Sequence, residues 1–357
     1  MLLEGLHIPL TTPFHPDGRL NLPKLAANIV RYSKSPAAGL VVLGPSGEPT
    51  LLSDDETREV LRIAAESAAP EKVLIAGISR DSVRATLALA NFAAEQNYDA
   101  ILVGVPSVLA TGSPDAAAAS RRELLLYFQT IADRSPLPVV LFSSRDRRIP
   151  LDATVELAAH PRILGLLDDV ALPDEIEAIL RHTAAIKREV NVTHLFAAVT
   201  TRMKAAATHA SASLVSADSL AADRAASATT TAETPPTPPL RTRTKTVGFQ
   251  IICTNAPRML DALNSGAAGI APPIAAAAPQ ACYEVFAAWK DQDQPLAQEK
   301  QQRLLEAALL AGTFEAGALK YAAGLNGYFG GLPRLPHLPP TGSQRAALEQ
   351  LMKQLRN

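Results

Sequence analysis

The stretch Gly39–Glu56, GLVVLGPSGEPTLLSDDE, decides how the rest of the chain is read. A β-branched run, Gly39–Leu43, breaks into the turn Gly44-Pro45-Ser46-Gly47-Glu48, and an acid-rich helix start, Ser53-Asp54-Asp55-Glu56, follows. An apolar run this short, ended by turn chemistry, predicts a buried parallel strand whose carboxyl-end loop presents backbone N–H groups to an anion. In α/β enzymes that end of the strand is where chemistry is done. The plain alternative is a tight strand-to-helix loop with no ligand.

Similar runs recur near Gly5–Thr11, Val73–Ala76, Ala100–Gly104, Val139–Phe142, Ile163–Leu167, Phe249–Thr254 and Gly269–Pro272. Between them lie amphipathic segments such as Leu22–Tyr32, Asp55–Ser67, Ser82–Gln96, Pro114–Ala132 and Ala256–Leu263. Ser53 precedes an acidic first turn and Ser113 precedes Pro114, both N-cap patterns. Eight strands alternating with helices predict an α/β fold, a (β/α)8 TIM barrel.

The 357 residues exceed the roughly 250 of such a barrel. One surplus lies at about 205–246, where an Ala/Ser/Thr-rich run passes into TTTAETPPTPPLRTRTKT, too poor in large apolar residues to offset the entropy of ordering. A long disordered insertion is predicted there, interrupting a barrel that spans 1–280. The piece before it, VTHLFAAVTTRMK, reads equally as strand or helix. The other surplus is a helical extension over 281–357, with helices at Gln280–Ala311, Gly317–Leu325 and Ser343–Arg356 and the proline-rich connector LPRLPHLPP.

Lys and Arg total 34 against 35 Asp and Glu, and no basic stripe carries interleaved aromatics, which argues against a nucleic-acid partner. Cys253 and Cys282 lack metal-ligand spacing and a disulfide framework, so neither metal nor cofactor is expected. The start MLLEGLHIPLTTPF has no basic n-region and no apolar stretch long enough to export or span, which makes the cytoplasm the expected location and excludes a membrane partner.

The segment GPSGEPTLLSDDE resembles the G-T-T-G-E-x-x-x-L-(S/T)-x-x-E segment of the dihydrodipicolinate synthase and N-acetylneuraminate lyase family. Likewise IPLTTPFHPDGRLN resembles the family's first strand, VLIAGISRDS its third and DAILVGVP its fourth. NSGAAGIAPPIAAAAP resembles its seventh helix and eighth strand, and LKYAAGLNGYFGGLPRLPHLPP its C-terminal helix and proline-bearing segment. The resemblance implies a (β/α)8 class I aldolase or lyase that forms a Schiff base with pyruvate or a related 2-oxo acid, commonly as a homotetramer.

That chemistry needs a lysine at the end of the sixth strand, so that a neutral amine attacks a ketone. The matching motif reads Gly165-Leu166-Leu167-Asp168, placing Leu167 at the lysine's position. Of the ten lysines only Lys204, at the edge of the insertion, is placed to reach over as a substitute; the others sit in helices or turns or, like Lys245, before the seventh strand. The proton-shuttling tyrosine of the fifth strand matches Phe142, a second tyrosine matches Val108, and the first threonine of the turn matches Pro45.

An anion cradle remains. Ser46, with the N–H groups of Ser46 and Gly47, is set to hold a carboxylate, and Arg147 lies near the family's arginine for a distal carboxylate or hydroxyl. Arg145 and Arg148 compete for that role, and all three arginines around Asp146 also read as a self-paired solvated loop. Asp168 and Asp169 read as carboxylate bases or as supporting groups, and Glu48 as a structural acceptor of backbone N–H groups. Two functions follow: a family-fold protein that has lost imine catalysis and at most binds a small 2-oxo acid or carboxylate, or a lyase of altered, lysine-independent mechanism.

Overall fold

Parallel strands close into a barrel in the computed structural model, which describes residues 1–109, 117–212, 241–313 and 315–355. In chain order the strands are β1 (Gly5–Pro9), β2 (Gly39–Val42), β3 (Val73–Gly77), β4 (Ala100–Gly104), β5 (Val139–Ser143), β6 (Ile163–Asp168), β7 (Arg188–Thr193), β8 (Thr242–Val247), β9 (Gln250–Cys253) and β10 (Gly269–Ile270). The barrel order is β1-β10-β9-β6-β5-β4-β3-β2, while β7 and β8 form a separate antiparallel ribbon. Helices α1 (Leu22–Ser33), α2 (Asp54–Ser67), α3 (Val83–Glu95), α4 (Ala117–Arg134), α5 (Leu151–Ala158), α6 (Pro173–His182), α7 (Thr201–Ala212) and α8 (Met259–Asn264) belong to the barrel and its excursion; α9 (Pro279–Lys290), α10 (Gln294–Thr313), α11 (Glu315–Leu325) and α12 (Gly342–Met352) follow.

Alternation along each strand sorts the apolar residues into two layers, as the period of two demands. Val41, Ile75, Leu102, Val140, Leu167 and Ile252 share the barrel's interior cluster, whereas Leu40, Leu74, Ile101, Leu141, Leu166 and Ile251 pack outward under the helices. Ser53 caps α2 through a full capping box with Glu56. The Ser113 cap lies outside the described residues.

Gly77 shows how tightly the strand ends converge. A Cβ placed there would stand 2.0 Å from the carbonyl oxygen of Leu43, at the start of the turn after β2. Gly77→Ala is therefore expected to cost about 2–3 kcal/mol by displacing that turn, read as a lowered urea midpoint at unchanged slope; an unaltered midpoint would contradict the close approach.

The flanks of the expected disordered insertion are ordered. Residues 205–212 continue α7, and 242–246 lie in β8, paired with β7 from Thr193↔Thr242 to Arg188↔Val247. The ambiguous piece before the insertion divides between the end of β7, a turn and the start of α7; residues 213–240 lie outside the described residues. This excursion floors the amino-terminal end of the barrel. Val190 and Val192 pack on Leu2, and Ala198 reaches the interior cluster. The Thr201 N–H donates to Asp99 Oδ1 at 2.6 Å, the Thr200 hydroxyl to the Pro70 carbonyl at 2.5 Å, and Arg202 to the Ala68 carbonyl at 3.0 Å. Pro70 and Asp99 stand just before β3 and β4, which fixes α7 on the face opposite the loops that follow the strands.

The C-terminal helices pack on the same cluster as the barrel helices, with Leu304, Leu319, Leu348 and Met352 buried against it. Tyr328 stacks on Tyr32 of α1 at 4.2 Å between ring centroids.

Candidate functional site

The turn after β2 is tightly constrained. Leu43 and Glu48 bracket it in left-handed conformations, φ 57° and 55°, costly for side-chain-bearing residues and typical of sites where structure over-determines the backbone. The Thr12 hydroxyl donates to the Gly47 carbonyl at 2.7 Å, and the Gly47 N–H donates to Gly44 O at 2.8 Å. That second bond spends one of the two N–H groups expected in the cradle. Ser46 is half-buried, and its N–H and hydroxyl have no protein partner among the described residues.

Leu167, 2% exposed, stands directly beside Phe142 in the β5–β6 register and beside Ile252 of β9; Leu167 and Ile252 belong to the interior cluster and the half-buried Phe142 packs against it. Asp168 alternates to the outside. It is 2% exposed, pairs with Arg148 at 2.9 Å, and accepts the Val170 N–H at 3.1 Å; Arg148 also pairs with Glu175 of α6. Burial pushes the Asp168 carboxyl up, opposed by Arg148 and by the N–H groups of Val170 and Ala171. Asp169 accepts the Arg145 N–H and the Thr254 hydroxyl, each at 3.3 Å.

The three competing arginines separate cleanly. Arg148 is committed to carboxylates outside the barrel, whereas Arg147 is exposed and its guanidinium donates to the Val105 carbonyl at 3.4 Å and acts on the Asp81 carboxyl. Arg147 lines a cleft of about 290 Å³ with Leu43, Thr50, Ser79, Asp81 and Ser107. Ser107 donates its hydroxyl and N–H to Asp81, at 2.6 and 2.5 Å, which holds that carboxyl below the usual range. Ser46 and Leu167 lie outside this cleft's lining, which comes from the segments after β2, β3, β4 and β5.

Lys204 does not reach this end. It belongs to α7, which is pinned to the loops before β3 and β4. The amine that does approach the mouth is one sequence reading set aside: Lys320 of α11, fully buried and paired with Glu48. Burial lowers it to about 8, with Glu48 opposing. Its environment is closed by the Leu332 carbonyl at 3.1 Å and the Phe14 ring at 4.3 Å. The lone lysine amid the apolar run GALKYAAG was the available signal. Glu48 does accept a backbone N–H, that of Arg334 at 3.0 Å.

A model of the dihydrodipicolinate synthetase family matches residues 2–190. The chain belongs to that family. Curated relatives include the 4-hydroxy-tetrahydrodipicolinate synthases of Azoarcus sp. (strain BH72), 31% identical over 47% of this chain and 56% of that protein, and of Xanthomonas axonopodis pv. citri, 32% identical over 50% and 58%. The match thus spans little more than half the length of these relatives. Family structures superpose over nearly the whole chain. A putative dihydrodipicolinate synthetase from Pseudomonas aeruginosa gives a TM-score of 0.75 at 18% identity, covering 99% of this chain and 100% of that one. YagE from E. coli K12, solved with pyruvate, gives 0.74 at 21% identity, covering 99% of both. At that identity the likeness establishes the barrel alone. Among the described residues no helix is long and apolar enough to cross a membrane, and no three His, Cys, Asp or Glu side chains cluster to hold a metal ion.

Proposed function

We propose that this chain is a dihydrodipicolinate synthetase-family barrel that has lost imine catalysis and binds a small 2-oxo acid or carboxylate at its mouth. The observation that carries the reading is the pair Leu167 and Phe142, side by side at the interior cluster where the resemblance puts an amine and a phenol. Supporting it, Lys204 is on the far face and Lys320 is sealed behind Phe14 and Glu48. A lysine-independent lyase would need a base at the mouth. Asp168 is spent on Arg148, Asp169 takes the Arg145 N–H and the Thr254 hydroxyl, and Glu48 is spent on Lys320, so the binding reading is the stronger.

In this reading Ser46 supplies an N–H and a hydroxyl, and Arg147 supplies a guanidinium, each charge-assisted bond contributing about 1.5–3 kcal/mol. A cytoplasmic, homotetrameric protein is part of the same proposal, on the family resemblance. Pyruvate, 2-oxoglutarate and acetate are expected to raise the melting temperature of the wild-type chain at millimolar concentration. Ser46→Ala should reduce the shift for all three acids, and Arg147→Met should reduce most the shift from 2-oxoglutarate, which carries a distal carboxylate. A wild-type protein indifferent to all three acids would refute the reading.

A further inference from the structure

The network around Glu48 ties the turn after β2 to the far end of the chain. Glu48 and Lys320 pair with 2% and 0% of their side chains exposed. In the C-terminal strap after α11, the Leu332 carbonyl accepts from Lys320, and two residues on, the Arg334 N–H donates to Glu48 at 3.0 Å. The Arg334 guanidinium bridges the Leu51 carbonyl at 2.8 Å, the Gly18 carbonyl at 3.0 Å and Glu56 of α2 at 2.6 Å. Phe14 takes both cations on its ring, Lys320 at 4.3 Å and Arg334 at 4.5 Å. A Cβ at Gly330 would stand 1.8 Å from the Lys320 carbonyl, so the strap is pressed against α11.

Buried ion pairs stabilise no better than well-packed apolar residues of similar volume, which leaves specification of one geometry as the physical use of this one. The geometry specified is that of the turn. Glu48 is held left-handed, its N–H reaches back to the Pro45 carbonyl at 3.3 Å, and its carbonyl accepts from Leu51 at 3.1 Å. With Gly47 fixed at both its N–H and its carbonyl, rotation at Glu48 would move the whole Gly44–Glu48 unit.

We propose that α11 and the strap form a latch on the mouth, in which Lys320 and Arg334 are positioning residues that hold the Gly44–Glu48 turn so that the Ser46 donors face an incoming carboxylate. The inference rests on the carboxylate-binding reading above. It makes the C-terminal helices part of the site rather than an appendage.

The test compares hydrogen exchange of the segment 44–52, melting temperature and pyruvate affinity in wild type, Glu48→Gln, Lys320→Met and the double variant. Each single variant leaves one buried charge without its partner and is expected to melt earlier; the double variant leaves none and should recover most of that loss. The turn should not recover. Its exchange is expected to stay about tenfold faster than wild type in the double variant while β5 exchanges at the wild-type rate. Pyruvate affinity should stay about tenfold weaker. If turn exchange and melting recover together, or if the turn loosens with pyruvate affinity untouched, the positioning role is overturned. If the turn loosens and the wild-type chain binds no pyruvate, the latch stands and the carboxylate reading falls.

Discussion

Borohydride reduction in the presence of pyruvate is expected to leave the mass of the wild-type chain unchanged, and to add one reduced pyruvate to Leu167→Lys. Leu167 is 2% exposed and flanked in register by Phe142 and Ile252, so an amine placed there is desolvated and its ammonium form disfavoured. The neutral nitrogen attacks the ketone carbon, the carbonyl oxygen leaves as water, and borohydride delivers hydride to the imine carbon. Detection by intact mass runs from no adduct to near-stoichiometric, the largest change expected of any single substitution here. Burying the new polar group costs about 1–3 kcal/mol, so the variant is assayed at reduced temperature. An adduct on the wild-type chain that disappears in Lys320→Met would overturn the assignment, because the sealed amine would then be the nucleophile.

The second large effect is on stability. Arg148→Met strips Asp168 of its ion-pair partner while leaving the carboxyl 2% exposed, and is expected to cost about 3–5 kcal/mol at pH 7.5 by urea unfolding. The loss should shrink as pH falls. Burial already pushes the Asp168 carboxyl above the usual carboxylate range, and Arg148 is the main force pulling it back down. Without Arg148 the folded state holds a proton at a pH where the unfolded chain has released it. In that window the folded state binds more protons, so stability rises on acidification and falls as pH rises through the folded-state value. Asp168→Asn in the Arg148→Met background should remove this slope. A loss independent of pH would mean that Arg148 acts through packing and through Glu175 alone.

Every barrel strand was visible in the sequence because a strand covered on both faces must be apolar at consecutive positions, and runs such as Gly39–Leu43 and Val139–Phe142 satisfy that without any tertiary information. The β7–β8 ribbon was not. Its second strand, Thr-Arg-Thr-Lys-Thr-Val, carries a period of two in polar residues, and composition drew it into the low-complexity run before it. At the mouth, local motif logic placed the turn and the Leu167–Phe142 pair. It placed Lys320 in a helix but gave no sign of its burial, because that side chain's surroundings are made by Phe14, Glu48 and the strap, none of them neighbours in sequence. The spent Gly47 N–H was likewise invisible, since it depends on the tight 3-10 geometry of Pro45–Gly47.

The ribbon packs on Leu2, at the end of the barrel where the first turn of α7 is pinned to the loops before β3 and β4, whereas Arg147 lies in the loop after β5. Thr242, exposed and paired with Thr193 in that ribbon, is therefore remote from the opening. A fluorescent reporter attached at its side chain would leave the carboxylate assays above unobstructed.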